Sequence, residues 1–178
     1  MSTTPPHIRA ALPLRALHWL MAGLVILALV CIYSKGWFDK GTPIRSLLSA
    51  THIFAGLTVG WLLLPRWLVR LRHPLPAIEP PAPRWQTAFA HAAHLALYAG
   101  MLALPLLGVL FMQANGREVH YLGWTLPTLI DPNPATYHAL KEIHENVGVT
   151  LLVLVALHAV AALWHHRVQR DNTLQRML

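Results

Sequence analysis

Charge is scarce in this chain. Only 12% of its 178 residues are charged and 55% are hydrophobic, whereas soluble domains carry about 25% charged residues. That deficit argues against an ordinary water-facing surface and for a lipid environment. Cysteine is scarcer still, with Cys31 alone. A single thiol excludes an intramolecular disulfide, a thiolate-held iron–sulfur cluster and covalent haem attachment through C-x-x-C-H. Acidic residues number 7 against 14 Lys and Arg, a formal net charge of +7. The basic residues are scattered between apolar blocks and form no helix face or aromatic-interleaved stripe, so no nucleic acid is expected as a partner. Anionic lipid headgroups account for the charge instead.

What is present is apolar length. Four segments are long enough to cross a bilayer, which takes about 20 residues. The first runs from about Leu14 to Ser34. The second is apolar from about Ser46 to Leu64, and its helix is expected to reach about residue 70, past Pro65 and Arg66. The third runs from about Trp85 to Gln113, with Pro105 as an expected kink of the kind that lipid-embedded helices tolerate. The fourth is apolar from Val147 to Trp164, in a helix expected over about 138–166 after the breaker Asp131-Pro132-Asn133-Pro134. Between the second and third lies a proline-rich linker, residues 73–83, semi-rigid and unable to be helical. The first segment exceeds a signal-peptide core and lacks a small-residue cleavage site, so an uncleaved helix is expected. The fold class is all-α: one integral-membrane four-helix bundle, a single domain over residues 1–178.

Lys and Arg set the expected orientation. Arg9, Arg15, Arg66, Arg70, Arg72, Arg84, Arg167, Arg170 and Arg176 fall at the termini and the proline linker; Lys35, Lys40, Arg45, Arg117 and Lys141 fall on the other side. Both termini and the linker are therefore expected in the cytoplasm. The opposite face also carries Asp39, Glu118, Asp131, Glu142 and Glu145. Its cations either form a positive funnel or are cancelled by these acids.

Histidine is the unusual residue, with 12 copies, several inside apolar stretches where an ionisable group is read as functional. His18 lies near the cytoplasmic end of the first helix and His52 near the outer end of the second. His144 and His158 share the fourth. Fourteen residues place these two about 21 Å apart along the axis and about 40° apart in azimuth, on one side at two levels. Depth pairs His18 with His158, and His52 with His144. Facing neutral imidazoles across a bundle suit a low-spin haem iron, whose flat macrocycle fits between helices. Any one of them is equally explained as a hydrogen-bonded polar side chain, but two stacked pairs on three helices favour haem. Zinc would want three or four ligands converging at one level.

Other residues keep alternatives open. His91 and His94, at i and i+3 on the third helix, could bond a haem propionate, bind a quinone carbonyl, relay protons or be structural; His165 and His166 share that ambiguity. His7, His73, His120 and His138 read as solvated. Gly23, Gly56, Gly60, Gly100, Gly108 and Gly148 either give a porphyrin room or let helices pack closely. Trp19, Trp61, Trp67, Trp85, Trp124 and Trp164 are explained by an aromatic belt.

Arg15-Ala16-Leu17-His18-Trp19, His52, Ala90-His91-Ala92-Ala93-His94, His144-Glu145, Leu157-His158-Ala159 and the terminal Asp171-Asn172-Thr173-Leu174-Gln175-Arg176-Met177 together resemble bacterial cytochrome b561. The resemblance covers nearly the whole chain and lies in the order and spacing of these motifs. It implies a protein of the bacterial inner membrane with two haem b groups and His18, His52, His144 and His158 as axial ligands. It makes His91, His94 and His165 candidates for a quinone region. Within the family the likeness to superoxide oxidase implies an oxidoreductase that passes electrons from superoxide at the periplasmic face to ubiquinone near the cytoplasmic face. The alternative is a cytochrome b subunit or anchor for a dehydrogenase or hydrogenase, so a protein partner is allowed but not required. A third reading, a histidine-lined metal transporter, lacks carboxylates in the membrane core.

Overall fold

The computed structural model describes residues 9–178 and is helical along most of its length. Helix α1 (Leu12–Ser34) runs on as a 3-10 turn, Lys35–Trp37. Helices α2 (Pro43–Arg72), α3 (Arg84–Ala114) and α4 (Pro134–Trp164) follow. A π-helical turn, His165–Gln169, and a tail with a 3-10 turn at Gln175–Met177 complete the chain. Two short strands, β1 (His120–Tyr121) and β2 (Trp124–Thr125), pair antiparallel in the α3–α4 loop.

Proline marks where helices begin. Each of α1, α2 and α4 has one in its first turn, where the missing N–H has no intrahelical partner to lose and the fixed φ is already helical. At α4 the Asn133 side chain also accepts the backbone N–H of Thr136 at 3.0 Å, a capping bond that satisfies an otherwise orphaned donor. Residues 133–134 thus start α4 instead of preceding it, and the helix opens at Pro134 rather than near residue 138. Pro65 and Pro105 lie inside continuous helices. Pro105 serves packing: a Cβ on Gly60 of α2 would come within 3.0 Å of its Cγ.

All four helices are apolar enough to cross a bilayer, with mean hydropathies of 2.2, 1.7, 2.2 and 2.3 in chain order. Leu20, Ile26, Leu102, Leu106, Val153, Leu157 and Val160 are all exposed. In water so broad an apolar surface would be an association site; lipid tails cover it without cost.

Helix α1 packs along α2, α3 along α4, and α2 against α3. The proline linker, the start of α1 and the tail meet at one end. The Ala10 N–H donates to Arg176 O at 2.9 Å and Trp19 Nε1 to Met177 O at 2.7 Å. Asn172 bonds the linker three times, at Ala77 O and at both backbone groups of Glu79. The other end is closed by the α3–α4 loop. Its turn, Leu122-Gly123, has positive φ at both residues (+52° and +83°), as a two-residue hairpin requires. Tyr121 docks on α2 through the Phe54 ring and the Thr58 hydroxyl, 3.1 Å away. Buried Gln113 pins the rest of the loop, its Nε2 donating to Pro127 O and its Oε1 accepting the Leu129 N–H.

Two apolar clusters fill the bundle. Met21, Val25, Val59 and Leu63, with Tyr98, Met101 and Val155 against them, draw on all four helices and lie between the two histidine levels. Leu57, Val109 and Val119 form the second, beneath the hairpin.

Candidate functional site: two facing histidine pairs

The expected pairs meet. The His18 and His158 rings lie 6.2 Å apart, centroid to centroid, and those of His52 and His144 6.3 Å apart. All four side chains are half-buried. A metal–imidazole bond of about 2 Å plus about 1.1 Å from nitrogen to ring centre places two rings on opposite sides of one metal about 6.2 Å apart. Both pairs fit that span. His94 on α3 also touches His158, at 5.4 Å, too short for that arrangement, so it packs as a neighbour. Nothing in the i, i+3 spacing of His91 and His94 signals this contact. Among the described residues no three His, Cys, Asp or Glu side chains converge to hold a bare metal ion.

At the hairpin end, His52 and His144 open onto a cavity of about 420 Å³, within the range of sites that enclose a small-molecule cofactor. Helices α1 to α4 all line it, chiefly with Leu, Ile, Val and Met side chains, and Gly56, Gly108 and Gly148 leave it open. A Cβ on Gly56 would meet nothing within 4 Å, and one on Gly108 would approach His144 Cε1 at 3.5 Å. Gly60 and Gly100 do the other job, lying close under Pro105 and Leu151. Five of the six glycines therefore divide between room and packing, and Gly23 does neither, since a Cβ there would meet nothing within 4 Å and it does not line the cavity. The His52 Nδ1 lies 2.9 Å from Ala28 O, which fixes the proton on Nδ1 and frees the Nε2 lone pair. The His144 Nδ1 is buried near the Leu104 carbonyl without a hydrogen bond of normal geometry. A flat apolar macrocycle carrying one metal suits this cavity and donor set.

The linker-end pair has polar company. Arg66 of α2 reaches into the bundle: its Nη2 lies 3.5 Å from His18 Nδ1, its Nε donates to the Tyr98 hydroxyl at 3.0 Å, and its Nη1 to Leu14 O at 3.4 Å. In the sequence Arg66 reads only as an orientation charge. A signal was available, since fourteen residues separate His52 from Arg66, the same spacing that stacks His144 and His158 on α4.

Other candidates fall elsewhere. His91 is exposed on α3, while His94, though partly exposed, packs against His158. The His165 Nδ1 bonds the buried Asp171 carboxylate, tying α4 to the tail. Burial alone would raise the Asp171 pKa, but bonds from His165 and the Thr173 N–H outweigh it and hold the carboxyl below its usual range. His73, His120 and His138 are exposed, and His7 lies outside the described residues. Of the cations opposite the linker, Lys40, Arg45 and Arg117 share an open cavity of about 460 Å³ with no acidic side chain in its lining. Its Ile53 wall also lines the His52 cavity. Lys141 pairs with Glu145, and Arg45 also closes the α1–α2 turn onto the carbonyls of Lys35 and Phe38. Trp19 does more than sit in a belt, since its indole holds the tail.

Four apolar helices presenting opposed imidazoles inside the bundle define a class: multi-pass membrane proteins built to seat a metallated macrocycle between helices. Comparison with known proteins specifies it. The family model for prokaryotic cytochrome b561 matches residues 9–178, and the chain belongs to that family of membrane haem b proteins of electron transfer. It is 38% identical to Cytochrome b561 homolog 1 of Escherichia coli K12 over 162 residues, 91% of this chain and 92% of the relative. It is 31% identical to Probable superoxide oxidase CybB of Yersinia pestis, over 91% of each chain. Cytochrome b561 homolog 2 of Escherichia coli K12 is 30% identical over 100% of this chain and 95% of its own length.

Proposed function

We propose that this protein is a di-haem cytochrome b that takes electrons from superoxide at the periplasmic face and delivers them to ubiquinone near the cytoplasmic face. One observation carries the reading: two facing histidine pairs, at two depths, each spaced for a single metal between the rings. His18 and His158 hold one haem b and His52 and His144 the other. Bound there, the iron supplies one-electron redox chemistry. The eight arginines other than Arg66 at the terminal and linker end favour a cytoplasmic position for it under the positive-inside rule, with the hairpin end periplasmic.

The residues divide the remaining work. Lys40, Arg45 and Arg117 draw a small anion toward the wall of the His52 cavity, a steering effect that salt screens. His52 keeps its ring oriented through Ala28. The apolar layer of Met21, Val25, Val59 and Leu63 keeps water from between the two levels. At the cytoplasmic end His91 and His94 stand on α3, where they serve a quinone carbonyl or its protons. His165 is already engaged by Asp171 and contributes through the tail. Each superoxide gives up one electron and leaves as dioxygen; two electrons and two protons convert one quinone to its quinol.

The CybB relative's name supports the choice of donor. The test uses purified protein in ubiquinone-loaded liposomes exposed to a superoxide source. Quinol should form faster than in protein-free vesicles, and the excess rate should fall several-fold as salt rises or when Lys40 and Arg117 become Gln. A rate equal to the spontaneous one would remove the superoxide:quinone assignment. Co-purification with a dehydrogenase or hydrogenase would favour a subunit of a larger complex.

A further inference from the structure

The two pairs differ in what stands behind the rings. At the hairpin end, the His52 Nδ1–H points at a carbonyl oxygen, Ala28 O, at 2.9 Å. Donation from a ligating imidazole to a carbonyl makes the ring a stronger electron donor to its metal, which favours the oxidised state. At the linker end the atom facing His18 Nδ1 is Arg66 Nη2, 3.5 Å away. Its guanidinium stays protonated at any accessible pH. It is held on two further sides by the Tyr98 hydroxyl and Leu14 O, with its carbon 5.9 Å from the Tyr98 ring centre. A fixed positive charge in a bundle of low dielectric favours a site's gaining an electron. The hairpin end has a cation too, Lys35, but Glu145 lines the same cavity and opposes its charge, whereas among the described residues no carboxylate is bonded to Arg66. Lys141 pairs with Glu145 as well.

Resting on the di-haem reading, we propose that Arg66, buttressed by Tyr98, raises the reduction potential at the His18/His158 site above that at the His52/His144 site, where the Ala28 carbonyl pulls the other way. Arg66 is a positioning residue that acts by its fixed charge beside His18, without touching substrate. The asymmetry sets direction: one electron leaving the periplasmic site oxidised and the cytoplasmic site reduced moves downhill. The two effects act in the same sense, from residues on different helices.

A redox titration of the purified holoprotein, followed in visible absorption, tests this. Arg66→Gln should lower the higher midpoint so that the reduced-to-oxidised ratio there falls about tenfold at fixed potential, about 59 mV for one electron. The lower midpoint should stay in place. Arg66→Lys keeps the charge and should restore most of the shift, whereas a merely structural role would leave the Lys and Gln variants alike. With both haems bound, an unmoved higher midpoint in Arg66→Gln would overturn the proposal. If that variant loses a haem, single-site proteins decide: His144→Ala keeps only the linker-end site and His158→Ala only the hairpin-end site. The former must titrate higher, and the reverse order overturns the inference alone. An unsubstituted protein with no haem, or with one, would instead overturn the di-haem reading.

Discussion

At the hairpin end the space between His52 and His144 is walled by Leu, Val and Met and opened by glycine, whereas at the linker end His18 and His158 sit among Arg66, Tyr98 and His94. One site is made of room, the other of held charge. The difference follows from what each tolerates in a bilayer. An apolar void costs little to keep when a macrocycle fills it, while a cation at membrane depth survives only with its hydrogen bonds completed inside the protein. Arg66 meets that condition with a hydroxyl and a carbonyl.

The comparison breaks most sharply at Gly108. A Cβ there meets His144 at ordinary contact distance, so alanine should be tolerated and leucine should fill the space the macrocycle needs. Under the proposed di-haem reading, Gly108→Leu should therefore drop the haem-to-protein ratio from two to one, with only the linker-end site surviving, as pyridine haemochrome assay would show. Retention of both haems would mean that the glycine-opened cavity is not the cofactor seat.

A smaller effect sharpens the other end. The tail is fastened there by Asp171, bonded to His165 and Thr173. Asp171→Ala removes hydrogen bonds to a charged group and should cost about 1.5–3 kcal/mol, seen as a lower Tm and faster tryptic cleavage at Arg170, with the hairpin-end spectrum unchanged. The carboxyl's folded pKa lies below its unfolded value of about 3.9. Its contribution is then complete above that value and is lost as pH falls through the folded pKa. The wild-type advantage over Asp171→Ala in Tm should accordingly persist at pH 5 to 7 and shrink on acidification below about pH 4. A constant advantage down to pH 2 would deny the carboxylate this role.

Much of the fold was legible because hydropathy and spacing are local. Four apolar runs become four helices, and the depths of His18, His52, His144 and His158 pair them before any contact is known. The rest depends on partners far along the chain. Arg66 looked like an orientation charge because its role needs Tyr98 and Leu14, on two other helices. Asn172 and Gln113 read as ordinary polar residues until the linker and the loop meet their side chains. Pro134 reads as a break in the sequence, whereas in the fold Asn133 caps it into the first turn of α4. The outer cations divide in a way sequence cannot show, since Lys141 finds Glu145 while Lys40 and Arg117 remain on the open cavity.

Pairing by level is tested most directly by haem content in double variants. Removing both histidines of one level, His18→Ala with His158→Ala or His52→Ala with His144→Ala, should leave one haem per chain. Removing one from each level, such as His18→Ala with His144→Ala, should leave none. Equal haem content in same-level and cross-level doubles would contradict it.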